Sequence, residues 1–300
     1  MEQLACLLEA RREGRVLRGE PMANHTTFRV GGPADICFLP ETEGEVALAL
    51  DEAKRLSVPV FVMGNGSNLV VRDGGIRGLV VILGEHFSAV QAEGTRVTAQ
   101  AGATLARVAA FALERSLAGF EFASGIPGTI GGGAAMNAGA YGGQISDVFF
   151  SARVLRGGSI AAYGASDMQM GYRTTRVLRE GGVVLSVELA LRPGDAAEIR
   201  ATMNDLNGRR REKQPLEYPS AGSTFKRPEG QFAGALIDRA GLRGARVGGA
   251  MVSEKHAGFI VNTGGATARD ILALIDRVRA RVYEESGVAL EPEVRIVGEE

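Results

Sequence analysis

Two glycine-rich segments carry the residue types that could bind a phosphate group. The first, Gly64-Asn65-Gly66-Ser67-Asn68, directly follows a β-forming apolar run. Successive glycines and small polar residues can point several backbone N–H groups into one concavity, which binds phosphate. A plain tight turn has the same composition, so this segment alone leaves both interpretations open. It matches neither the G-x-G-x-x-G fingerprint, whose third glycine falls on Leu69, nor a P-loop, because no Gly-Lys-Ser/Thr occurs.

The second segment, SGIPGTIGGGAAMNAGAYGG at residues 124–143, holds eight glycines in 20 residues. A hairpin does not need so many glycines, whereas close approach of the backbone to a flat cofactor and its diphosphate does. The surrounding stretch, residues 119–143, has little periodicity and is too apolar for a disordered loop. Together, the two segments favour a ligand that carries phosphate.

The composition excludes several classes of protein. The 34 basic and 35 acidic residues give a net charge of −1, which provides no basic field for nucleic acid. With 45% hydrophobic and 23% charged residues, the chain can bury a core. Apolar runs reach six residues at 108–113, far below the roughly 20 that a membrane span needs. Acidic residues stand where a signal peptide would be basic. We therefore expect a soluble, cytoplasmic protein.

The cysteines and histidines predict neither disulfides nor a metal site. Cys6 and Cys37 are the two cysteines and form no CxxC motif, so we expect small, inert apolar residues. His25, His86 and His256 are scattered, without metal-ligand spacing. We interpret all three histidines as structural or as rim residues.

The apolar periodicity predicts strands and helices in mixed order, beginning with a strand–helix–strand unit of α/β type. Helices are expected within residues 1–20, before a polar lead-in, and at 42–57, 103–115, 195–212, 231–240 and 267–285. Strands are expected at 36–39, 59–63, 69–71, 79–83, 96–100, 148–155, 159–163, 183–191, near 246–252 and 258–262, and at the C-terminal end. Thr42 and Thr267 are predicted helix caps. The basic run at 209–213 is predicted to be a solvated helix end.

Arg192-Pro193-Gly194-Asp195 interrupts the pattern, and we place a domain boundary there. The resulting division is a lead-in helix at residues 1–25, one domain at 26–193 and a second domain at 196–300.

Six separated segments, in order, resemble the UDP-N-acetylenolpyruvoylglucosamine reductase (MurB) family. They are PVFVMGNGSNLVVRDGGIRGLVV (59–81), ASGIPGTIGGGAAMNAGAYG (123–142), GYRTT (171–175), YPSAGSTFKRP (218–228), GGAMVSEKHAGFIVNTGGAT (248–267) and LEPEVRIVG (290–298). The short length and the GSTFKRP and KHAGFIVN segments resemble the shorter, type II subclass. One departure is Gly133, which stands where the family usually has alanine; we expect it to be tolerated.

The resemblance implies an α+β fold. An FAD-binding domain of the vanillyl-alcohol-oxidase (PCMH) type, with two α/β subdomains, would occupy residues 26–193, and a C-terminal α+β substrate-binding domain would occupy 196–300. The implied FAD-binding residues are Gly64, Asn65, Gly66, Ser67, Asn68, Leu69, Ser124, Gly125, Ile126, Pro127, Gly128, Thr129, Gly131, Gly132, Asn137, Gly139 and Ala140. Related oxidases often tether flavin through a histidine in the glycine loop. The first segment has none, which implies non-covalent FAD.

The implied activity is an NADPH-dependent flavoenzyme (UDP-N-acetylmuramate dehydrogenase) of peptidoglycan synthesis, which reduces UDP-N-acetylglucosamine enolpyruvate to UDP-N-acetylmuramate. By match to the family's motifs, Ser223 is the implied proton donor, while Arg173 and Glu293 stabilise the enolate. Strand alternation would put Glu293 and Arg295 on one face of the last strand, and Glu291 is the alternative carboxyl group.

The remaining site predictions concern the substrates. The predicted contacts to the UDP diphosphate or sugar are Tyr172, Lys213, Lys226 and Arg227. No second nucleotide motif is present for NADPH, which fits an enzyme in which NADPH and the UDP-sugar take turns at one flavin face. Protein partners are not predicted.

Two other functions remain open from the sequence. One is an oxidase of the same superfamily, which would use oxygen and not need NADPH; the GSTFKRP and LEPEVR segments argue against it. The other is a UDP-sugar-sensing module that has lost the flavin, and it predicts a colourless protein.

Overall fold

A computed structural model describes residues 1–10 and 15–300 of the chain. Part of the predicted polar lead-in, residues 11–14, lies outside the described residues. The described helices are α1 (Glu2–Ala10), α2 (Glu43–Arg55), α3 (Leu105–Glu114), α4 (Ile130–Ala135), α5 (Ala165–Met168), α6 (Arg176–Glu180), α7 (Ala196–Lys213), α8 (Ala233–Arg239) and α9 (Ala268–Ser286). The described strands are β1 (Arg15–Pro21), β2 (Pro33–Leu39), β3 (Val60–Met63), β4 (Leu69–Val71), β5 (Ile76–Ile82), β6 (Val90–Glu93), β7 (Arg96–Gln100), β8 (Leu117–Ala118), β9 (Gly139–Ala140), β10 (Gly143–Gln144), β11 (Phe149–Arg156), β12 (Ser159–Gly164), β13 (Val183–Ala190), β14 (Arg192–Pro193), β15 (Arg246–Val247), β16 (Ala250–Val252), β17 (Ile260–Asn262) and β18 (Arg295–Val297).

The chain divides into two compact units. Unit 1 comprises Met1–Leu17, Ile36–Asn65 and Leu79–Arg210, and unit 2 comprises Arg18–Asp35, Gly66–Gly78 and Arg211–Glu300. Unit 2 thus includes two N-terminal segments that the sequence-based division assigned elsewhere. The domain boundaries at residues 25–26 and 193–196 stay a prediction.

Unit 1 contains a five-stranded antiparallel sheet of order β12-β11-β13-β7-β6. Its core includes the buried side chains of α3 and of the neighbouring strands, among them Val97, Val108, Ala112, Val154 and Val187. Within the same unit, β3 pairs in parallel with β5, from Val60 with Leu79 to Met63 with Ile82. Thr42 caps α2 by accepting from the Glu45 amide at 3.2 Å, as its sequence position predicts.

Unit 2 contains the antiparallel sheet β15-β16-β17, against which α9 packs, and a parallel pair, β4 with β18. The predicted apolar stripe of α9 is buried: Ile271, Leu274, Ile275, Val278 and Val282. Thr267 and Asp270 form the predicted capping box, and Gly287 ends α9 at φ +70°. Asp73 adds a further cap, since its carboxylate accepts from the amides of Ala268 and Arg269.

Several elements differ from their sequence-based prediction. The strand expected near 246–252 is two strands, β15 and β16, because Gly248 at φ +51° turns the chain between them. Glu293 was predicted to lie on the last strand, but β18 begins at Arg295, so the alternation argument for Glu293 was wrong. Cys37 is buried as expected, whereas Cys6 is exposed on α1.

The glycine-rich stretch was expected to lack periodic structure, yet it contains α4. Three of the six residues of α4 are glycines, a composition that disfavours a helix. Two of these glycines, Gly131 and Gly133, are needed because α4 packs closely against its neighbours. A β-carbon at Gly131 would lie 2.5 Å from that of Ala101, and one at Gly133 would lie 2.9 Å from Ile145 Cδ1. Tertiary contacts therefore override the low helix propensity.

Candidate active site

The first residue of one glycine-rich segment contacts the other segment within unit 1. Gly64 lies against Thr129, so closely that a β-carbon at Gly64 would overlap Thr129 Oγ1. Thr129 is buried and begins α4 as its N-cap. The sequence reasoning predicted a shared phosphate-bearing ligand for the two segments, and at Gly64 and Thr129 the structure brings them into contact.

Backbone hydrogen bonds hold the second segment beside the start of α3. The Ile130 amide donates to Ala103 O at 2.8 Å, the Gly131 amide to Ala101 O at 3.0 Å, and the Leu105 amide to Gly128 O at 3.1 Å. Gly128 has φ +130°, a conformation that L side chains rarely adopt. The backbone of the segment therefore has, at this buried position, a conformation that glycine adopts without strain.

These residues fit FAD. The segments combine small side chains and a left-handed backbone, which lets a dinucleotide cofactor approach the main chain closely. A second observation points the same way. The guanidinium of Arg210 is buried beside Gly125, and its Nε atom has no hydrogen-bond partner among the residues that the structure describes. A buried donor of this kind suits an electron-rich ligand.

Asn137, a predicted cofactor residue, uses its side chain to hold the protein together. Its Oδ1 accepts from the Ser146 amide at 2.9 Å, and its Nδ2 donates to Gln144 Oε1 and Gly171 O, both at 3.3 Å. Asn137 itself has φ +45°. Its side chain thus connects the second glycine segment to the turn that carries Arg173.

Arg173 lies at the tip of a tight turn in unit 1. Gly171 and Thr174 exchange backbone hydrogen bonds of 2.9 and 3.4 Å, and Arg173 has φ +55°. Thr175 is fully buried and donates from Oγ1 to Ala135 O at 2.7 Å. Since Ala135 ends α4, the turn is anchored to the glycine segment at a second point.

Ser223 and Glu293 are brought together in unit 2. Ser223 is exposed, directly after Gly222 at φ +76°. The next residue, Thr224, accepts at its carbonyl from the Glu293 amide at 2.8 Å, and its buried hydroxyl accepts from the Ile260 amide at 3.0 Å. The partly buried Glu293 accepts at its own carbonyl from Asn68 Nδ2 at 3.1 Å. The segments around Ser223 and Glu293 are therefore neighbours.

The alternative carboxyl group, Glu291, is already engaged. Lys226 donates from Nζ to Glu291 Oε2 at 2.9 Å, and the Lys226 amide donates to Glu291 O at 2.9 Å. The side-chain hydrogen bond from Lys226, together with the positive charge of Lys226, holds the pKa of Glu291 below its ordinary value. Glu291 is thus an ionised, exposed partner of Lys226, which favours Glu293 for the catalytic role.

The predicted substrate residues are all accessible. Tyr172, in unit 1, is 63% exposed. Lys213 ends α7, and Lys213, Lys226 and Arg227, all in unit 2, are exposed. Arg227 stacks on Phe232, with its Cζ 4.0 Å from the ring centroid. Among the described residues, no group of His, Cys, Asp and Glu side chains is arranged so that it could hold a metal ion.

His256 is held as a neutral ring. Burial lowers the pKa of His256, and its Nδ1 accepts from the Gly258 amide at 3.1 Å. The ring packs edge-on against Phe259, 4.9 Å between centroids.

Sequence reasoning missed three side chains that hold the site: Thr175, Asn207 and Arg210. Asn207 Nδ2 donates to Ser124 Oγ at 3.2 Å, and Arg210 Nη1 donates to Gly125 O. Arg210 belongs to the basic run predicted to be solvated, and that prediction was wrong for this residue, which is buried. No local pattern could single it out, because α7 meets the glycine segment only in the tertiary fold.

Comparison with known proteins identifies the family. Residues 34–159 match the model of an FAD binding domain, and residues 214–297 match the model of the UDP-N-acetylenolpyruvoylglucosamine reductase C-terminal domain. The reductase of Alkaliphilus oremlandii is 53% identical over 286 residues, which cover 95% of this chain and 94% of that protein. This chain belongs to the UDP-N-acetylenolpyruvoylglucosamine reductase family.

Further relatives of the reductase agree. The enzyme of the same description from Geobacillus kaustophilus is 50% identical over 98% of this chain and 97% of its own length. The crystal structure of the reductase (MurB) from Thermus caldophilus matches with a TM-score of 0.82 and 37% identity, over 94% of this chain and 99% of that one. The predicted family, its α+β fold with an FAD-binding domain, and FAD as the cofactor are confirmed.

The described helices of the reductase include none that is long and apolar enough to cross a membrane.

Proposed function

We propose that this reductase converts UDP-N-acetylglucosamine enolpyruvate to UDP-N-acetylmuramate, with NADPH as the hydride donor. The proposal rests on the sequence identity of 50–53% to two reductases over nearly the whole chain. The product is a precursor of peptidoglycan, so cell shape and cell division would depend on it. We place the reaction in the cytoplasm, where NADPH and nucleotide sugars are available.

The residues proposed to hold FAD are the 17 residues named above from the resemblance, which lie within 64–69 and 124–140. When bound, FAD would accept hydride from NADPH and deliver it to the enolpyruvyl group. The contact between Gly64 and Thr129, and the buried donor of Arg210, support this placement.

Arg173 is proposed to hold the charge that develops on the substrate. Hydride addition at the terminal vinyl carbon pushes electrons toward the adjacent carboxylate, which becomes an enolate dianion. A guanidinium fork matches a carboxylate with two parallel N–H donors. The turn from Gly171 to Thr174 supports this role, because its anchors at Asn137 and Thr175 restrict where the guanidinium can lie.

Ser223 is proposed to give the proton that completes the reduction. The enolate carbon takes the hydroxyl proton of Ser223, a C–H bond forms, and the serine is reprotonated by way of Lys226 or water. The exposed position of Ser223 after a left-handed glycine supports access to a bound substrate. Glu293, with its main chain bonded to that of Thr224, would donate a hydrogen bond to the enolate in its protonated form.

The contacts to the UDP-sugar are proposed for Tyr172, Lys213, Lys226 and Arg227. Their exposure and three positive charges suit a diphosphate. Because no second nucleotide motif is present, we propose that NADPH and the UDP-sugar use the same site in turn.

A visible absorption spectrum tests the proposed function. Purified protein should be yellow, lose its absorbance near 450 nm on anaerobic addition of NADPH, and regain it only when the enolpyruvyl UDP-sugar is added. Ser223→Ala should bleach at the wild-type rate and recolour at least about a hundredfold more slowly. Recovery by oxygen alone would show an oxidase, and a colourless protein that cannot take up FAD would contradict the proposal.

A further inference from the structure

A buried arginine of α7 contacts the second glycine segment. Arg210 is 7% exposed, and its Nη1 donates to Gly125 O. One turn earlier, Asn207 donates to Ser124 Oγ at 3.2 Å. A β-carbon at Gly125 would overlap Asn207 Oδ1 and lie 3.3 Å from Arg210 Nε. Gly125 is therefore a glycine because α7 occupies the space that a side chain would need.

The guanidinium of Arg210 is a buried positive charge. Its Nε has no hydrogen-bond partner, and no carboxylate pairs with it within the described residues 1–10 and 15–300. Tyr141 is a further neighbour: its side chain hydrogen-bonds with the guanidinium group, and its ring centroid lies 5.7 Å from the guanidinium carbon. A buried cation that has neutral hydrogen-bond partners but no anionic one is costly to a folded protein.

The electrostatics of Arg210 agree with this geometry. Burial lowers the pKa of the guanidinium, and Tyr141 opposes the shift. An arginine nevertheless stays protonated inside proteins. The charge is therefore present in the folded protein whether or not a ligand is bound.

We propose that Arg210 is a positioning residue for FAD, which fixes the Ser124–Gly125 turn and directs its remaining N–H toward an electron-rich part of the bound cofactor. FAD offers two such parts, the diphosphate and the carbonyl edge of the flavin. The inference rests on the proposed placement of FAD at the glycine segments.

A purely structural role makes the opposite prediction for stability. If Arg210 served only to stabilise the fold, its removal would make the protein less stable and would leave the affinity for FAD unchanged. A cation kept for a ligand costs stability in the ligand-free protein, so its removal should leave that protein equally or more stable while weakening FAD binding.

The test is a titration of the full-length, FAD-depleted protein with FAD, followed by flavin fluorescence, with folding checked by far-UV circular dichroism. Arg210→Met should raise the Kd for FAD by about 10- to 100-fold, the loss of a charged hydrogen bond, and Arg210→Lys should lie between. The melting temperature of FAD-free Arg210→Met should be equal to or above that of the wild type. Arg209→Gln is the matched control, because Arg209 is exposed and pairs with Asp205 at 2.8 Å.

Titration with FMN and riboflavin locates the contact. A loss of affinity for FAD and FMN but not riboflavin assigns it to phosphate, and an equal loss for all three assigns it to the flavin edge. A Kd for Arg210→Met within twofold of the control overturns the inference; if that variant does not fold, Arg210→Lys decides by the same criterion. A wild-type protein that binds no FAD would instead contradict the proposed function.

Discussion

Arg173 and Ser223 are held by two different kinds of structure. Arg173 lies in a local turn, in which Gly171 and Thr174 bond to each other and side chains anchor the turn from outside. Ser223 lies beside a long-range contact, in which the main chain of Thr224 bonds to that of Glu293, far along the sequence. One site residue depends on side-chain anchors, the other on main-chain pairing.

This difference has consequences for mutation. Main-chain pairing survives most side-chain substitutions, so the Ser223 segment should tolerate change unless a buried group is orphaned. A turn anchored by Asn137 and Thr175 can shift when one anchor is removed, while the fold around it persists. Substitutions near Arg173 should therefore act mainly on rate, and those near Ser223 mainly on stability.

The largest effect is expected for Arg173→Met. Loss of the guanidinium fork removes charge stabilisation from the substrate, so recolouring of NADPH-reduced protein by the UDP-sugar should slow by about a thousandfold. Bleaching by NADPH should keep its wild-type rate, as measured by anaerobic stopped-flow absorbance. Arg153→Met, at an exposed arginine that pairs with Glu43 on α2, is the control and should change neither rate. Equal slowing of both steps would argue against a role on the substrate.

Thr224→Val should mainly lower stability. Valine keeps the shape but leaves the buried Ile260 amide without its acceptor, which costs about 1–3 kcal/mol. Urea unfolding of the FAD-bound protein measures the change, and Thr224→Ser, which keeps the hydroxyl, should recover most of it. A large loss of recolouring rate without a loss of stability would reverse the comparison.

Thr175→Val, in contrast to Thr224→Val, should act on the rate of recolouring. The variant loses the hydrogen bond to Ala135 O, so the Arg173 turn is less well held, and the recolouring rate should fall by about tenfold. NADPH bleaching is again the internal control, and Thr175→Ser should restore the rate. A rate unchanged in Thr175→Val would show that the turn holds itself.

The smallest effect on stability is expected for Lys226→Met, because the ion pair with Glu291 is exposed. The pKa of Glu291, now held below its ordinary value by Lys226, should rise toward that value, as NMR titration of the carboxyl would show. In the wild type, the ion pair stabilises the folded protein at pH values above the ordinary pKa of a glutamate, and this contribution is lost as the pH falls through the lowered pKa of Glu291. The variant has no such contribution, so its stability should not show this part of the decrease at acidic pH. Lys54→Met, on the exposed side of α2, should leave the pKa of Glu291 unchanged.

The sequence was sufficient for elements whose signals are local. The caps at Thr42 and Thr267 and the apolar stripe of α9 were predicted and are confirmed, because a helix buries one face at a fixed period. The prediction that Glu293 lies on the last strand was wrong. Strand alternation applies only within a strand, and β18 begins where it pairs with β4, at Arg295. The roles of Ser223, Arg173 and Glu293 stay predictions.

By itself, the sequence determined the family, the cofactor and the helices with strong periodicity, since short motifs and apolar spacing are local properties of the chain. Only the tertiary structure decided why the glycines are where they are. Gly64 faces Thr129 and Gly125 faces Asn207, contacts between segments far apart in the chain. It also decided that Arg210, one basic residue in a charged run, is buried beside the glycine segment. Burial depends on which distant segment packs against a side chain, and no local pattern contains that information.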